Sequence, residues 1–400
     1  MSGRSRIAFS KTLNQMAIRK RAWVTPAGES KVAWLVDYRD QAGKRRAKQF
    51  RLKKDAEAWS VGAAWQVSRG VHTADSQSVT VAAAADLWIA KAEAEGRERG
   101  TVDQYGQLAR LHIVPLIGAE RLSRLTRPMA EAFRDELVAT RSKAMASKAV
   151  RALSSILTEA QRRGLVAQNV AQGVRVTRPK RERAKVSIPT KAELRAMLDH
   201  APDDMRPLLS TAIFTGLRAS ELRGLKWTDI DLKSATITVS QRADKFGEIG
   251  PPKSEAGHRT IPIAPALVAE LTAWKLRCPK GKLGLAFPNG QGGVHQYGHL
   301  LRRKFFPLQA AAGVCDPVII GGKPQVDKDG EPVMQARYGF HSLRHAAVSA
   351  WIKQRIDLKR LQVWMGHSGI QLTLDTYGHL IADASQDAEL IAAAQAEFNS

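Results

Sequence analysis

The chain has 400 residues, room for two or three domains of about 100–200 residues each, and 44% of them are apolar, enough for ordinary cores. Its 62 Lys and Arg outnumber 38 Asp and Glu, and this net charge of +24 calls for a polyanionic partner, either nucleic acid or an anionic membrane. No apolar run reaches about 18 residues, the first residues lack the apolar core of a secretory signal, and two cysteines, Cys278 and Cys315, exclude a disulfide framework and a Cys-based zinc site. The expectation is a cytoplasmic, nucleoid-associated protein that binds nucleic acid and no membrane.

Residues 1–54 hold 15 Lys and Arg against 3 Asp and Glu, which is half of the net charge. Within them KVAWLVDYRD (31–40) and KRRAKQFRL (44–52) read as two strands joined by a Gly-containing hairpin connection, Gln41-Ala42-Gly43. KKDAEAWSVGAAWQVSRG (53–70) then reads as a helix. Lys44, Arg45, Arg46, Lys48 and Arg51 on this small sheet suit a strand face laid on DNA; the alternative is a solvated basic surface. Residues 78–172 read as four helices: one opening at a Thr cap, one from Thr101 to Gly118, one with Pro128 early in it, and one closing at Gly164. Short loops between them make a compact bundle. RVTRPKRERAKVS (175–187) is basic and without periodicity, an exposed linker whose Arg178, Lys180 and Arg181 suit a phosphate backbone.

A third domain runs from about Ile188 to about Ala384. It begins with two helices (TKAELRAMLDHAPDD and MRPLLSTAIFTGL), continues in short strands (ATITVSQ, EIGPPK, HRTIPIA), and is mainly helical from Pro265. Residues 316–339 read as a loop with a hairpin turn at Asp329-Gly330, and their acids lack calcium-loop spacing. A short amphipathic tail helix closes the chain. The fold class is therefore multidomain, mainly α with small β-sheets (α+β). The divisions are a basic N-terminal segment (1–74), a helical bundle (78–174), a linker (175–187), a third domain (188–384) and a tail (385–400).

Chemistry concentrates in the third domain. In FTGLRASELRGLKW, Arg218 follows an apolar helix and a Thr-Gly turn, where a helix N-terminus and a guanidinium together favour an anion. Glu221, three residues on, shares its helical face. In HSLRHAAVSAWIKQ, His341 and Arg344 project from one face, opposite Leu343, Ala347, Ala350 and Trp351, while His345 falls near the boundary as a buried, structural residue. A zinc reading would need an acidic partner for His341 and His345 at a short fixed spacing, and none is there. RLQVWMGHSG ends a helix at Gly366, leaving His367 exposed in the next turn. Tyr377 follows on a short helix that begins near Ser368 or Thr373, and Lys253 sits on a Pro- and Gly-rich connection between strands. Two arginines, a lysine and two histidines around one tyrosine suit attack on a phosphodiester. Guanidiniums neutralise charge that grows in the transition state and lower the cost of ionising a phenol that titrates near pH ~10. A lysine can protonate the leaving alkoxide without a metal or other cofactor.

These boxes, in this order, resemble those of the tyrosine recombinases of the phage-integrase type. TGLRASELRGLKW is similar to the family's first arginine box, HSLRH to its His-x-x-Arg box, and MGHSGIQLTLDTYGH to its histidine-to-tyrosine box, with Lys253 on the hairpin between the first two. The resemblance implies a site-specific DNA strand transferase that integrates or excises a prophage or other mobile element. Tyr377 would form a 3′-phosphotyrosyl link, Arg218 and Arg344 would hold the phosphate, and His367 would donate to it. Lys253 would protonate the 5′-oxygen, His341 would assist proton movement at Tyr377, and Glu221 would orient. It further implies a homotetramer on two DNA attachment sites, a tail docked on a neighbour, and a host bending protein and an excision factor as further partners. Two departures are AQNVAQGV, where many relatives carry Asn-Pro, and the long 316–339 loop. The alternatives are a non-catalytic DNA-binding regulator derived from an integrase and a type IB topoisomerase-like relaxing enzyme. RNA binding lacks an aromatic-rich strand.

Overall fold

The computed structural model describes residues 16–39, 43–68, 78–177 and 187–381, with residue 395. Contacts divide the chain into two units, Met1–Glu182 and Arg183–Ser400. Arg178, Lys180, Arg181, the expected break near residue 75 and the expected tail helix all lie outside the described residues.

The first unit opens with an antiparallel sheet of β1 (Ala17–Val24), β2 (Ser30–Arg39) and β3 (Arg45–Phe50), in that order. Two strands were expected, and β1 is an addition. Its sequence, AIRKRAWV, is cationic and almost wholly exposed, so it lacks the apolar alternation that marks a half-buried strand. Register with β2 from Ala17 opposite Asp37 to Val24 opposite Ser30 supplies its backbone partners. Helix α1 (Lys53–Ser68) covers one sheet face, where Trp59 meets Tyr38 and Phe50 with ring centroids 5.2 and 5.6 Å apart.

The helices that follow in this unit are α2 (Val81–Ala94), α3 (Arg99–Leu108), α4 (Val114–Ile117), α5 (Arg127–Thr140) and α6 (Lys143–Arg162). Thr80, Thr126 and Ser142 cap α2, α5 and α6 by accepting from the N–H groups of Ala83, Met129 and Met145. The segment read as one helix from Thr101 to Gly118 holds a wide turn at Ala109–Ile113, between α3 and α4. Pro115 has no N–H to return to residue 111 and its ring crowds that carbonyl, which favours the wider turn. Ile113, Phe133, Leu137, Leu153, Ile156 and Leu157 form the core. Glu159 is buried in the bundle and accepts from Lys91 (2.5 Å) and Arg163 (2.8 Å).

The second unit begins with α7 (Lys191–Asp199), closed by a Thr190–Glu193 capping box, then α8 (Arg206–Thr215) and α9 (Ala219–Gly224). Short strands follow: β4 (Ile230–Asp231), β5 (Thr236–Val239), β6 (Arg242–Ala243), β7 (Ile249–Gly250) and β8 (Arg259–Pro262). They form a β4-β5-β8 sheet and a β6-β7 hairpin. Only Ile249–Gly250 of the expected EIGPPK strand is extended, because two prolines remove ladder donors. After α10 (Pro265–Arg277), α11 (Tyr297–Leu300) and α12 (Phe306–Ala311), the expected 316–339 loop is a β finger. In it β9 (Cys315–Pro317) pairs with β12 (Met334–Ala336), and β10 (Ile319–Ile320) with β11 (Lys323–Pro324). One of its turns falls where expected, with Gly330 at φ +84°, and a second, at Gly321-Gly322 between β10 and β11, is an addition. Helices α13 (His341–Lys353), α14 (Leu358–Met365) and α15 (Ile370–Ile381) complete the unit. Leu209, Ile237, Ile261, Leu271, Phe305 and Leu343 are in its main core.

Candidate active site

Helices α8 and α14 end at glycines in the left-handed region, Gly216 and Gly366, both at φ +60°. The backbone freed at these two ends holds the two arginines. Arg344, buried on α13, donates from Nη1 to the Gly216 carbonyl (2.6 Å) and from Nη2 to the Met365 carbonyl. Arg218, at the cap of α9, donates from Nη2 to the Gly366 carbonyl (3.2 Å) and from Nη1 to Glu221 (2.7 Å). Burial and the neighbouring Arg218 pull the Arg344 guanidinium down to about 9, which leaves it charged at neutral pH.

Glu221 is tied more tightly than its sequence spacing suggests. Besides Arg218 it accepts both ends of Arg259, at 2.8 and 3.1 Å, and both residues are buried. Burial alone would raise the Glu221 carboxyl, but the hydrogen bonds and charge of Arg259, with Arg218 beside it, bring it to about 2. Arg259 also donates to the Trp364 carbonyl (2.6 Å), joining β8 to α14. Sequence reading missed it, since HRTIPIA carries only a strand signal. One expectation changes here: the backbone N–H of Arg218 donates to Glu221 (2.8 Å), so the helix start that was to hold an anion is partly occupied by this chain's own carboxylate.

His367 was expected to be exposed and is buried, because the turn after Gly366 folds under α15. Its Nδ1 lies 2.9 Å from the Thr373 hydroxyl and its Nε2 lies 3.4 Å from Nη2 of Arg344. Burial, then Arg344, Arg218 and Arg259, hold it down to about 4, so the ring is neutral. A guanidinium can only donate, so Nε2 is the acceptor and Nδ1–H faces the hydroxyl.

Tyr377 lies on α15, which begins at Ile370 between the two expected starts, and it is 1% exposed against Val348 and Met365. Its hydroxyl meets Nδ1 of His345 at 2.6 Å, whereas His341 had been expected there. His341, at the exposed start of α13, packs edge-on against His345 with ring centroids 4.8 Å apart. Burial pushes the phenol up to about 12 despite the opposing charge of Arg344, so at rest the arginines do not ionise it. Lys253 stands on the exposed connection from β7 to β8 that leads to Arg259. Among the described residues no group of three His, Cys, Asp or Glu is placed to hold a metal.

In the first unit the five expected cations do not share one face. Arg46 and Lys48 alternate with Arg45 and turn towards α1, where the Lys48 ammonium lies 5.0 Å from the Trp59 ring centroid. Lys44 and Arg51 are exposed at the two ends of β3. The register places Arg19, Arg21, Lys31, Arg39 and Arg45, all exposed, on the face away from α1. Among the described residues Asp37 on this face accepts from Arg19 at 2.5 Å, and Glu29 in the turn before β2 pairs with Lys31 at 3.4 Å.

No family model matches the chain. A protein named tyrosine recombinase XerC-like, from Caldanaerobacter subterraneus subsp. tengcongensis, is 26% identical over 373 residues, which cover 86% of this chain and 90% of that one. The chain is similar to tyrosine recombinases. Solved relatives agree with the recombinase in fold. A Tn1549 transposon integrase bound to transposon right-end DNA is 20% identical, with a TM-score of 0.62, covering 79% of this chain and all of that one. A lambda integrase tetramer bound to a Holliday junction is 19% identical, with a TM-score of 0.55, covering 87% and 95%. This recombinase is accordingly a DNA strand transferase of mainly helical fold with small antiparallel sheets.

Proposed function

We propose that this recombinase integrates and excises a mobile element, cutting each strand by attack of Tyr377 and rejoining it to a partner strand. The observation that carries the reading is the convergence of Arg218, Arg344 and His367 on the helix ends at Gly216 and Gly366, in the unit that also holds Tyr377, with both guanidiniums fixed by helix-end carbonyls. Arg218, whose side chain is 35% exposed, meets a non-bridging phosphate oxygen first. Arg344 lies deeper and takes up charge as the five-coordinate phosphorus forms. His367, whose Nε2 accepts from Arg344 at rest, joins as a donor only once that nitrogen carries a proton. Lys253 protonates the departing 5′-oxygen, and Glu221 with Arg259 keeps Arg218 aimed. Since Tyr377 is 1% exposed, α15 moves to bring the phenol to phosphorus. The 5′-hydroxyl of a second duplex then displaces the tyrosine, so bond energy is retained without a nucleotide cofactor.

The cationic face of β1–β3 supports contact with arm-type DNA, and the basic segment around Arg178, Lys180 and Arg181 supports contact with the core site. Assembly as a homotetramer on two duplexes fits a chain similar to a lambda integrase solved as a tetramer on a Holliday junction; a host bending protein and an excision factor are further partners of this reading. Among the described residues no helix is long and apolar enough to cross a membrane, in keeping with a cytoplasmic enzyme on the nucleoid.

The test is a nicked suicide duplex of the attachment site, incubated with wild type and Tyr377→Phe and resolved on a denaturing gel. A covalent adduct is expected from wild type alone. An equal adduct from Tyr377→Phe removes this residue as nucleophile, and no adduct from wild type removes the reading.

A further inference from the structure

His345 has no part in the chemistry set out above, yet it makes the closest contact to the reacting oxygen. Its Nδ1 lies 2.6 Å from the Tyr377 hydroxyl, and its ring is half-buried on α13, one residue after Arg344. The geometry points to His345 as the catalytic residue that takes the phenolic proton when Tyr377 attacks phosphorus, with His341 packed behind it. This inference rests on the recombinase reading and deepens it.

Several observations converge on it. A general base has to lie within hydrogen-bond reach of the proton it removes, and His345 does. At rest the Tyr377 side chain is enclosed by Val348, Met365, Trp351 and Ile352, so His345 and not bulk water is the partner of its proton as α15 begins to move. The groups facing His345 are His341 and Arg344 from its own helix and Tyr377 from α15. Burial, His341 and Arg344 hold the imidazole down to about 4 while the phenol stands near 12. The resting proton therefore belongs to Tyr377, and its hydroxyl donates to a neutral His345. A phosphodiester at Arg218 and Arg344 brings a negative charge that offsets this cationic field and raises the basicity of His345. Substrate binding thus switches on the base.

The step balances. The bond from Tyr377 Oη to phosphorus forms, the bond from phosphorus to the 5′-oxygen breaks, and the phenolic proton passes to Nδ1 of His345. The 5′-oxygen takes a different proton, from Lys253. On rejoining, the attacking 5′-hydroxyl gives its proton back to Lys253 and displaces Oη, which recovers its proton from His345.

The experiment measures single-turnover adduct formation on the suicide duplex across pH for full-length wild type, H345Q and H345A, with DNA binding read by gel shift. H345Q keeps a hydrogen-bond acceptor but cannot accept a proton, and it carries the test alone if H345A no longer binds DNA. Both variants are expected to bind DNA and to form adduct about 100-fold more slowly or worse at neutral pH. Their rates should then climb steeply with pH towards ionisation of the phenol itself, where wild type levels off. H345Q at the wild-type rate overturns the proposal, since a hydrogen bond then suffices. Slow variants that keep the wild-type pH profile also overturn it, since the ring then only supports the fold. If wild type forms no adduct, the recombinase reading fails and this one with it; where wild type does form adduct, the two variants decide the role of His345.

Discussion

At the residue scale, the buried Glu221–Arg259 pair is the most consequential feature that spacing alone did not reveal. Glu221 and Arg218 are three apart on a helix start, so their approach could be read from sequence. Arg259 is 38 residues away on a strand, and nothing local marks it as the second partner. Breaking one side of a buried pair strands a charge, so Arg259→Met should cost about 3–5 kcal/mol in denaturant unfolding. Arg218→Met, at a side chain 35% exposed, should cost far less. The pair also sets an acid limit. Because the folded carboxyl is depressed to about 2 from an ordinary 4.5, its stabilisation is complete above about pH 4.5 and is lost as pH falls from there through about 2. Glu221→Gln should flatten that acid limb in thermal melts; an unchanged limb would place the acid sensitivity elsewhere.

At the element scale, helix ends do the positioning. The Thr-Gly and Met-Gly steps that close α8 and α14 were legible as stops. That their carbonyls would hold Arg344 and Arg218 was not, because the residues involved come from different helices. A Cβ on Gly216 would sit 3.3 Å from Ala347 Cβ and Trp351, in a left-handed backbone that disfavours any L side chain. Gly216→Ala should therefore cost about 1–2 kcal/mol in unfolding and slow cleavage disproportionately, by displacing the carbonyl on Arg344. A loss of stability with unchanged cleavage would show that this carbonyl is not needed. Strand β1 illustrates the reverse case. Caps and apolar stripes announce a helix, but a cationic strand is extended only because β2 offers it a partner.

At the scale of the whole molecule, a net charge of +24 makes salt the natural probe of DNA binding. Each phosphate neutralised contributes about 0.9 to the slope of log affinity against log salt. Replacing Arg21, Lys31 and Arg45 with alanine should lower the slope on arm-type DNA by about that amount for every phosphate left without its cation, and leave it unchanged on core-site DNA. Equal slopes on both would place the sheet outside the DNA interface. The net charge, the helix caps, the order of the arginine, histidine and tyrosine boxes and the mainly helical class were determined by the sequence itself, since each rests on composition or on neighbours within a few residues. Tertiary structure alone decided that His367 is buried, that His345 and not His341 meets Tyr377, that Arg259 completes the hold on Glu221, and which cations share a sheet face. Those outcomes depend on contacts between segments distant in the chain, where burial and charge are set by packing that no local pattern encodes.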